Sequence, residues 1–378
     1  MINFENRLAS LKNRRQGSLE RAIFESSMES FQKDRTLVLN TDIREKENYE
    51  NLKESNSIKY TIGAMAPVSK RSTEISFEEG ARVAENLIKG LVSKGIYASH
   101  EFQGSVALNI HIESHSDVDV LIIKQNIILV QKPYVTIYSE PSDRRSMKDI
   151  IKELRVESES ILTKNFPQVD VNIKNNKSIS LEGGSLKRKI DIVPSCWYDT
   201  VEYQKTKNKA DRGIKIYHKE NHELIFNQPF KHIDLIEKKD IVYNGNLKMV
   251  IRLMKNMIAD MPDYKKIKAK KLSSFDLASI AYYMGSYLNV PFNMRIALVE
   301  KLRLHLNKLV EDKMYRDSLY VPDGSRKIFN AEEYNEKVEA LNILTSDISD
   351  LAISIFNDIK PLYINQFDSN IILNKKVA

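Results

Sequence analysis

A mixed α/β chain in two lobes is what the sequence predicts, a strand-rich lobe followed by a mostly helical one. Three observations carry this. Short β-branched runs cluster between about residues 99 and 193, with helical segments among them. A stripe formed by Leu247, Val250, Ile251, Met254, Met257, Ile258 and Met261 has the 3.6-residue period of an amphipathic helix, and similar patterns follow it. The chain has 378 residues, 42% of them hydrophobic, which is enough for two domains with cores of their own.

Taken in order, residues 4–35 read as one or two polar helices, with Leu8, Leu11, Leu19, Ile23 and Phe24 at near-helical spacing. Residues 40–58 are polar and read as a loop or weak helix. A helix is expected after Thr73, burying Phe77, Ala81, Val83, Ala84, Leu87, Ile88 and Leu91 and stopping at Gly95. Ser99–Gln103 reads as a strand and residues 105–112 as a short helix. Asp117–Ile123 and Ile127–Ile137 have strand character, and residues 146–165 suit a helix. Val169–Ile173, Ile179–Leu181 and Lys189–Val193 read as strands, with Gly183–Gly184 as the turn before the last. Beyond about residue 235 helices are expected, later ones over 273–287, 293–311, 331–344 and 346–358. The expected division is 1–235, N-terminal helices plus the strand-rich lobe, and 236–378, the helical lobe.

Composition excludes several classes. No apolar run approaches the roughly 18 residues of a membrane helix, and the charged N-terminus lacks the apolar stretch of a signal peptide. The single cysteine, Cys196, reads as a small buried residue and makes an intrachain disulfide impossible. The cytoplasm is the default location. A net charge of +7 favours an anionic partner such as a nucleotide or nucleic acid, although many solvated surfaces are as basic.

The chemistry lies in the segment from Gln103 to Leu121. Asp117 and Asp119 are two apart on a predicted strand, so their carboxylates share a face, while Val118, Val120 and Ile122 point to the core. Such a pair suits a hard cation like magnesium, which takes one or two carboxylates plus substrate phosphates. Alone, the pattern is more often that of a solvated strand face. Gly104-Ser105 upstream lets the backbone approach phosphate and adds a hydroxyl at a predicted helix start. Asp191, flanked by Ile190 and Ile192, is a carboxylate in an otherwise apolar strand and needs a partner, which a shared metal supplies.

These residues resemble the polymerase-β-type nucleotidyltransferase superfamily: Gly-Ser at 104–105, Asp-Val-Asp-Val at 117–120, and Lys-Ile-Asp-Ile-Val-Pro at 189–194. They are most similar to its bacterial branch related to cyclic GMP-AMP synthase. The likeness extends over Tyr60–Met65, Ser72–Ser76, Gln228–His232, Ile251–Lys255 and Val321–Lys327, and covers roughly residues 56–345. One departure is Leu108-Asn109-Ile110-His111, where many relatives have a second glycine followed by a small hydroxyl residue.

The resemblance implies a nucleotidyltransferase lobe packed against a helical C-terminal lobe. It implies two magnesium ions, or manganese, held by Asp117, Asp119 and Asp191, and in-line transfer of a nucleotidyl group with release of pyrophosphate. Gln103, Gly104 and Ser105 are then expected to cradle triphosphate, with Lys255 and Arg252 as basic contacts. Substrates would be ribonucleoside triphosphates, ATP among them, and the product a cyclic di- or trinucleotide messenger in antiphage signalling. An activating nucleic acid or regulatory protein is implied as a partner, and no membrane. The basic run Lys265–Lys271 suits either a solvated surface or an activating nucleic acid. Two other readings stand beside this one. One is a transferase acting on RNA, tRNA or protein; the other is a non-catalytic nucleic-acid-binding protein.

Overall fold

The structure is a computed structural model and describes residues 2–15, 46–141 and 143–377. Leu19, Ile23 and Phe24, and the elements expected over 16–45, lie outside the described residues. Helix α1 is described over 4–15, and α2 is Asn56–Met65, α3 Lys70–Val92, β1 Ala98–Gln103, α4 Gly104–Ala107, β2 Val118–Val130 and α5 Met147–Asn165. Then come β3 (Asp170–Asn172), β4 (Ile179–Glu182), β5 (Ile190–Asp199), α6 (Val201–Thr206), β6 (Gly213–His218) and β7 (Glu223–Asn227). The remainder is helical: α7 (Pro229–Val242), α8 (Asn246–Ala259), α9 (Asp263–Ala269), α10 (Ser274–Tyr282), α11 (Ala297–Glu311), α12 (Lys313–Ser318), α13 (Tyr334–Ile359) and α14 (Ser369–Leu373).

Two compact units emerge. One comprises Ser69–His111 and Ser116–Glu237; the other comprises Met1–Val68, Ile112–His115 and Lys238–Ala378. The division near the C-terminal side therefore falls inside α7. The expected grouping of 1–68 with the strand-rich lobe differs from this. Those residues pack with the helical unit because α8 serves the C-terminal end of α2: Asn256 Nδ2 donates to the Ala64 carbonyl at 2.8 Å and Arg252 Nε to the Met65 carbonyl at 2.7 Å.

In the strand-rich unit the order is β1-β2-β5-β4-β3, with β6 pairing the far half of β5 and β7 pairing β6. Only β2 and β5 run parallel; the other pairs are antiparallel. Helices α3 and α5 cover one face. Val83, Leu87 and Leu91 of α3 and Ile150, Leu154 and Ile161 of α5 meet Val118, Val120, Ile122, Ile190 and Ile192 there. The opposite face carries a second apolar cluster of Leu121, Ile123, Val193, Trp197, Ile214, Ile216 and Phe230. Strand β2 is thus buried on both faces beyond Asp119, which the expected one-sided alternation did not include.

Element ends differ from expectation for identifiable reasons. Helix α3, expected after Thr73, starts at Lys70 because the Ser69 hydroxyl accepts from the Ser72 amide at 3.1 Å. The two strands expected in 117–137 are one strand ending at Val130, with an irregularity between Lys124 and Leu129 and Asn126 at φ 65°. Strand β5 runs past Pro194, a residue that argues against a central strand. Here β4 pairs β5 up to Ile192 and β6 from Ser195, so Pro194 falls in the gap between those partners. Helix α13 is continuous through Thr345, where a break was expected, and Leu341, Leu344, Ile348 and Leu351 are buried along it on either side of that position.

Helix α3 approaches the sheet closely at Gly80. A Cβ there would lie 2.7 Å from Phe102 Cε1 and 2.9 Å from Val118 Cγ1. Gly80→Leu is therefore expected to destabilise the unit by about 2 kcal/mol through overpacking, whereas Glu85→Ala on the exposed face of the same helix is expected to change stability by less than ~0.5 kcal/mol. Chemical denaturation of both variants against the parent checks this.

Candidate active site

The site begins as a row of residues in register across four strands. Gln103 of β1 pairs with Asp119 of β2, Asp119 with Asp191 of β5, and Asp191 with Ser180 of β4. Residues paired across a sheet point to the same side, so the two carboxylates project together from neighbouring strands about 4.8 Å apart. Asp117 lies one residue before β2, where the Val118 amide donates to the Lys189 carbonyl at 2.9 Å. Beyond Asp119 this face turns apolar at Leu121 and Ile123, so the carboxylates stand at its polar end.

Gly104 sits directly against Asp119. Its φ is +72°, and a Cβ on it would fall 2.1 Å from Asp119 Oδ2. Only glycine both adopts this backbone and leaves the carboxylate its place. The helix expected over 105–112 is only Gly104–Ala107, too short for a helix dipole to matter. What this turn presents to a phosphate is backbone amide and the Ser105 hydroxyl. Asn109, at φ 52°, then turns the chain toward the segment that carries Asp117.

The charges are unevenly satisfied. Asp191 Oδ1 is buried without a hydrogen-bond partner. Burial, chiefly, raises the Asp191 pKa, and the Asp117 charge adds to this; the Ser180 hydroxyl and Lys189 oppose it. Ser180 Oγ stands near but outside hydrogen-bonding geometry and is itself unpartnered. Asp117 points to Lys189, whose ammonium donates to Oδ2 at 2.6 Å. Partial burial pulls the Lys189 pKa down, but the Asp117 bond and the charges of Asp117, Asp191 and Glu182 outweigh it and the net shift is upward.

Asp119 and Asp191 are thus brought together, while Asp117 pairs with a lysine. Among the described residues no three His, Cys, Asp or Glu side chains stand together as a metal-holding group. The donor set nevertheless fits a hard divalent cation that also takes phosphate oxygens. It offers carboxylate oxygens only, one of them buried and unpartnered, and a glycine that keeps one carboxylate unobstructed.

Residues that set the position of β5 had not been singled out. Arg188 donates to the Ser72 hydroxyl and, at 3.3 Å, to the Ser76 hydroxyl, both on α3. The Lys187 amide donates to Glu79 Oε2 at 3.1 Å. These bonds dock the lead-in to β5 on α3 and fix the register that places Asp191 beside Asp119. The one available sequence signal was the i, i+2 spacing of Lys189 and Asp191, which puts both on one strand face.

The other sequence candidates fall elsewhere. Arg252 and Lys255 are buried on α8 in the helical unit, and desolvation pulls the Arg252 pKa down to about 10. The basic run is engaged in ion pairs: Lys265 with Asp347 at 2.9 Å, Lys268 with Glu339 at 2.7 Å and Lys271 with Glu336 at 2.6 Å. Tyr282 carries the Lys239 ammonium over its ring at 3.9 Å. Trp197 packs in the second apolar cluster with Arg212 stacked on it at 4.2 Å, and Cys196 is buried in the first. His111 Nε2 lies 3.2 Å from the Thr73 hydroxyl, and no histidine joins a metal-holding group among the described residues.

No protein-family model matches the chain. It is 36% identical over 351 residues to the cyclic dinucleotide synthase CdnE of Yersinia aleksiciae, covering 91% of each chain. It is 27% identical over 332 residues to a c-di-GMP synthase of a Flavobacteriaceae species, covering 80% of this chain and 88% of that one. Among solved structures, a STING-associated CdnE c-di-GMP synthase from Flavobacteriaceae sp. superposes with a TM-score of 0.72 at 23% identity, over 94% of this chain and 99% of that one. At that identity the superposition speaks for the fold.

The raised Asp191 pKa has a stability consequence. The native state holds this proton more tightly than the unfolded chain, so its ionisation weakens folding as pH rises through the native pKa. Asp191→Asn is therefore expected to be more stable than the parent at neutral pH in EDTA. The gap should close below about pH 4, where the unfolded carboxyl is also protonated. Melting temperatures of both proteins from pH 3 to 8 test it, and equal values throughout would contradict it.

Proposed function

The chain belongs to the bacterial branch of the polymerase-β-type nucleotidyltransferases related to cyclic GMP-AMP synthase, and from that premise we propose that it makes a cyclic dinucleotide with guanine nucleotides in it. It is a nucleotidyltransferase that joins nucleotides into cyclic oligonucleotides. The observation that carries the reading of the site is the register pairing of Asp119 with Asp191 beside Gly104. The guanine preference rests on the relatives named c-di-GMP synthases.

In this reading Asp117, Asp119 and Asp191 hold divalent cations. Magnesium or manganese bound there supplies activation of the attacking hydroxyl and charge stabilisation of the departing pyrophosphate. The protein's part is positional. Strands β2 and β5 hold the carboxylates on rigid backbone. The amides of Gly104 and Ser105 and the Ser105 hydroxyl bind phosphate oxygens, and Gln103 borders them on β1. Each transfer forms a bond from a 2′ or 3′ hydroxyl oxygen to an α-phosphorus and breaks that phosphorus's bond to pyrophosphate. Two transfers close the ring. Family resemblance alone assigns Lys255, ahead of Arg252, to the triphosphate.

The product would act as a soluble signal in antiphage defence, made in the cytoplasm and read by a receptor protein. No helix among the described residues is long and apolar enough to cross a membrane. ATP is the proposed co-substrate, and an activating nucleic acid or regulatory protein the proposed partner.

Purified protein incubated with labelled ribonucleoside triphosphates and magnesium or manganese, then with phosphatase, is expected to yield a phosphatase-resistant cyclic product that requires GTP. Asp117→Ala with Asp119→Ala is expected to abolish it. The loss should exceed the 10–100-fold typical of a supporting residue near a metal, while the fold survives. Label found only in linear products or in RNA would overturn the cyclase reading. A cyclic product formed without GTP would overturn the guanine assignment alone.

A further inference from the structure

Of the groups around the carboxylate row, Lys189 is the one that the transfer chemistry leaves without a part. It stands two residues before Asp191 on the same strand face, and its ammonium lies 2.6 Å from Asp117 Oδ2. It interacts with the charge of Asp191 as well. Its main chain is fixed independently of that contact. The Val118 amide bonds its carbonyl at 2.9 Å, and the residues just before it are docked on α3 through Lys187 and Arg188. A flexible four-carbon stem therefore swings from a rigid base. Its side chain is 35% exposed and that of Asp117 41%, so both have room to part.

We propose that Lys189 is the resident cation of the metal-free site, holding Asp117 until a divalent ion displaces it. This rests on the reading of Asp117, Asp119 and Asp191 as metal-binding carboxylates. Without a cation the three carboxylates repel one another, and Asp191 is already partly desolvated. The ammonium lowers that repulsion and holds Asp117 at the edge of the row. A carboxylate oxygen that accepts from an ammonium cannot give the same lone pair to a metal. Metal entry is thus an exchange of one cation for another. Lys189 sets how much free metal the enzyme needs, and its displaced ammonium becomes available to a substrate phosphate.

The test uses the full-length protein and the variants Lys189→Gln, Lys189→Arg and Asp117→Asn. Manganese alone is the probe, followed by loss of the free-ion electron paramagnetic resonance signal. The measurement is repeated with a non-hydrolysable GTP analogue. Lys189→Gln is expected to bind manganese roughly three- to tenfold more tightly than the parent, the order expected for removing one nearby unit charge from a solvent-accessible divalent site. It should also melt at a lower temperature in EDTA and gain more from added manganese. Lys189→Arg, which keeps the charge, should stay near the parent, and Asp117→Asn should weaken binding. Equal or weaker manganese binding by Lys189→Gln, with the parent binding normally, overturns the role of Lys189 alone. No manganese binding by the parent, even with the triphosphate analogue, overturns the metal-site reading beneath it.

Discussion

Two carboxylates on adjacent parallel strands, in register and partly out of water, constrain the rest of the strand-rich unit. Burial is the chief cause of the upward shift of Asp191, and the charge of Asp117 adds to it. A protein under selection for stability alone would replace one of the pair. Keeping both requires a scaffold able to bear the strain and a cation to relieve it. The scaffold is the core between α3, α5 and β2–β5, in which Val118, Val120, Ile122, Ile190 and Ile192 are all buried. Lys189, whose ammonium bonds Asp117 and whose charge lowers the Asp191 pKa, supplies part of that relief, and a divalent ion is the proposed source of the rest.

The same logic explains why residue 104 is glycine. Asp119 needs space over the backbone there, and a side chain would block it. The positive φ of Gly104 and the absence of a Cβ together allow close packing of the carboxylate against that peptide.

Much of this was legible in the sequence. Helix α5, expected over 146–165, spans Met147–Asn165, with Ser146 as its cap. The Asp-x-Asp and Lys-Ile-Asp spacings gave the carboxylates, since period two leaves no choice of face. What escaped depended on tertiary partners. Pro194 hid the length of β5, because whether proline is tolerated depends on which neighbour lies beside it. The break expected at residue 345 is absent because the buried face of α13 runs on from Leu344 to Ile348 against its tertiary neighbours. The pairing of Lys189 with Asp117 joins residues 72 apart, and only the strand order brings them together. The affiliation of residues 1–68 with the helical unit rests on bonds from Arg252 and Asn256 to the end of α2, which no local pattern announces.

Charge and register also deserve separate weights. A net charge of +7 pointed toward anions, yet Lys265, Lys268 and Lys271 are paired with acids, so that run explains little. Register explains more. Usually a strand resists slipping because one face is apolar and the other polar. Strand β2 lacks that protection, since Val120 and Ile122 on one face and Leu121 and Ile123 on the other are all buried. A one-residue slip would exchange one apolar set for another. What opposes it is shape and charge at the strand's start. Val118 fits against Gly80, Asp119 against Gly104, and Asp117 reaches Lys189. The close fits of Val118 to Gly80 and of Asp119 to Gly104 therefore add shape to the register at the start of β2, beside the core that carries most of the strand pairing.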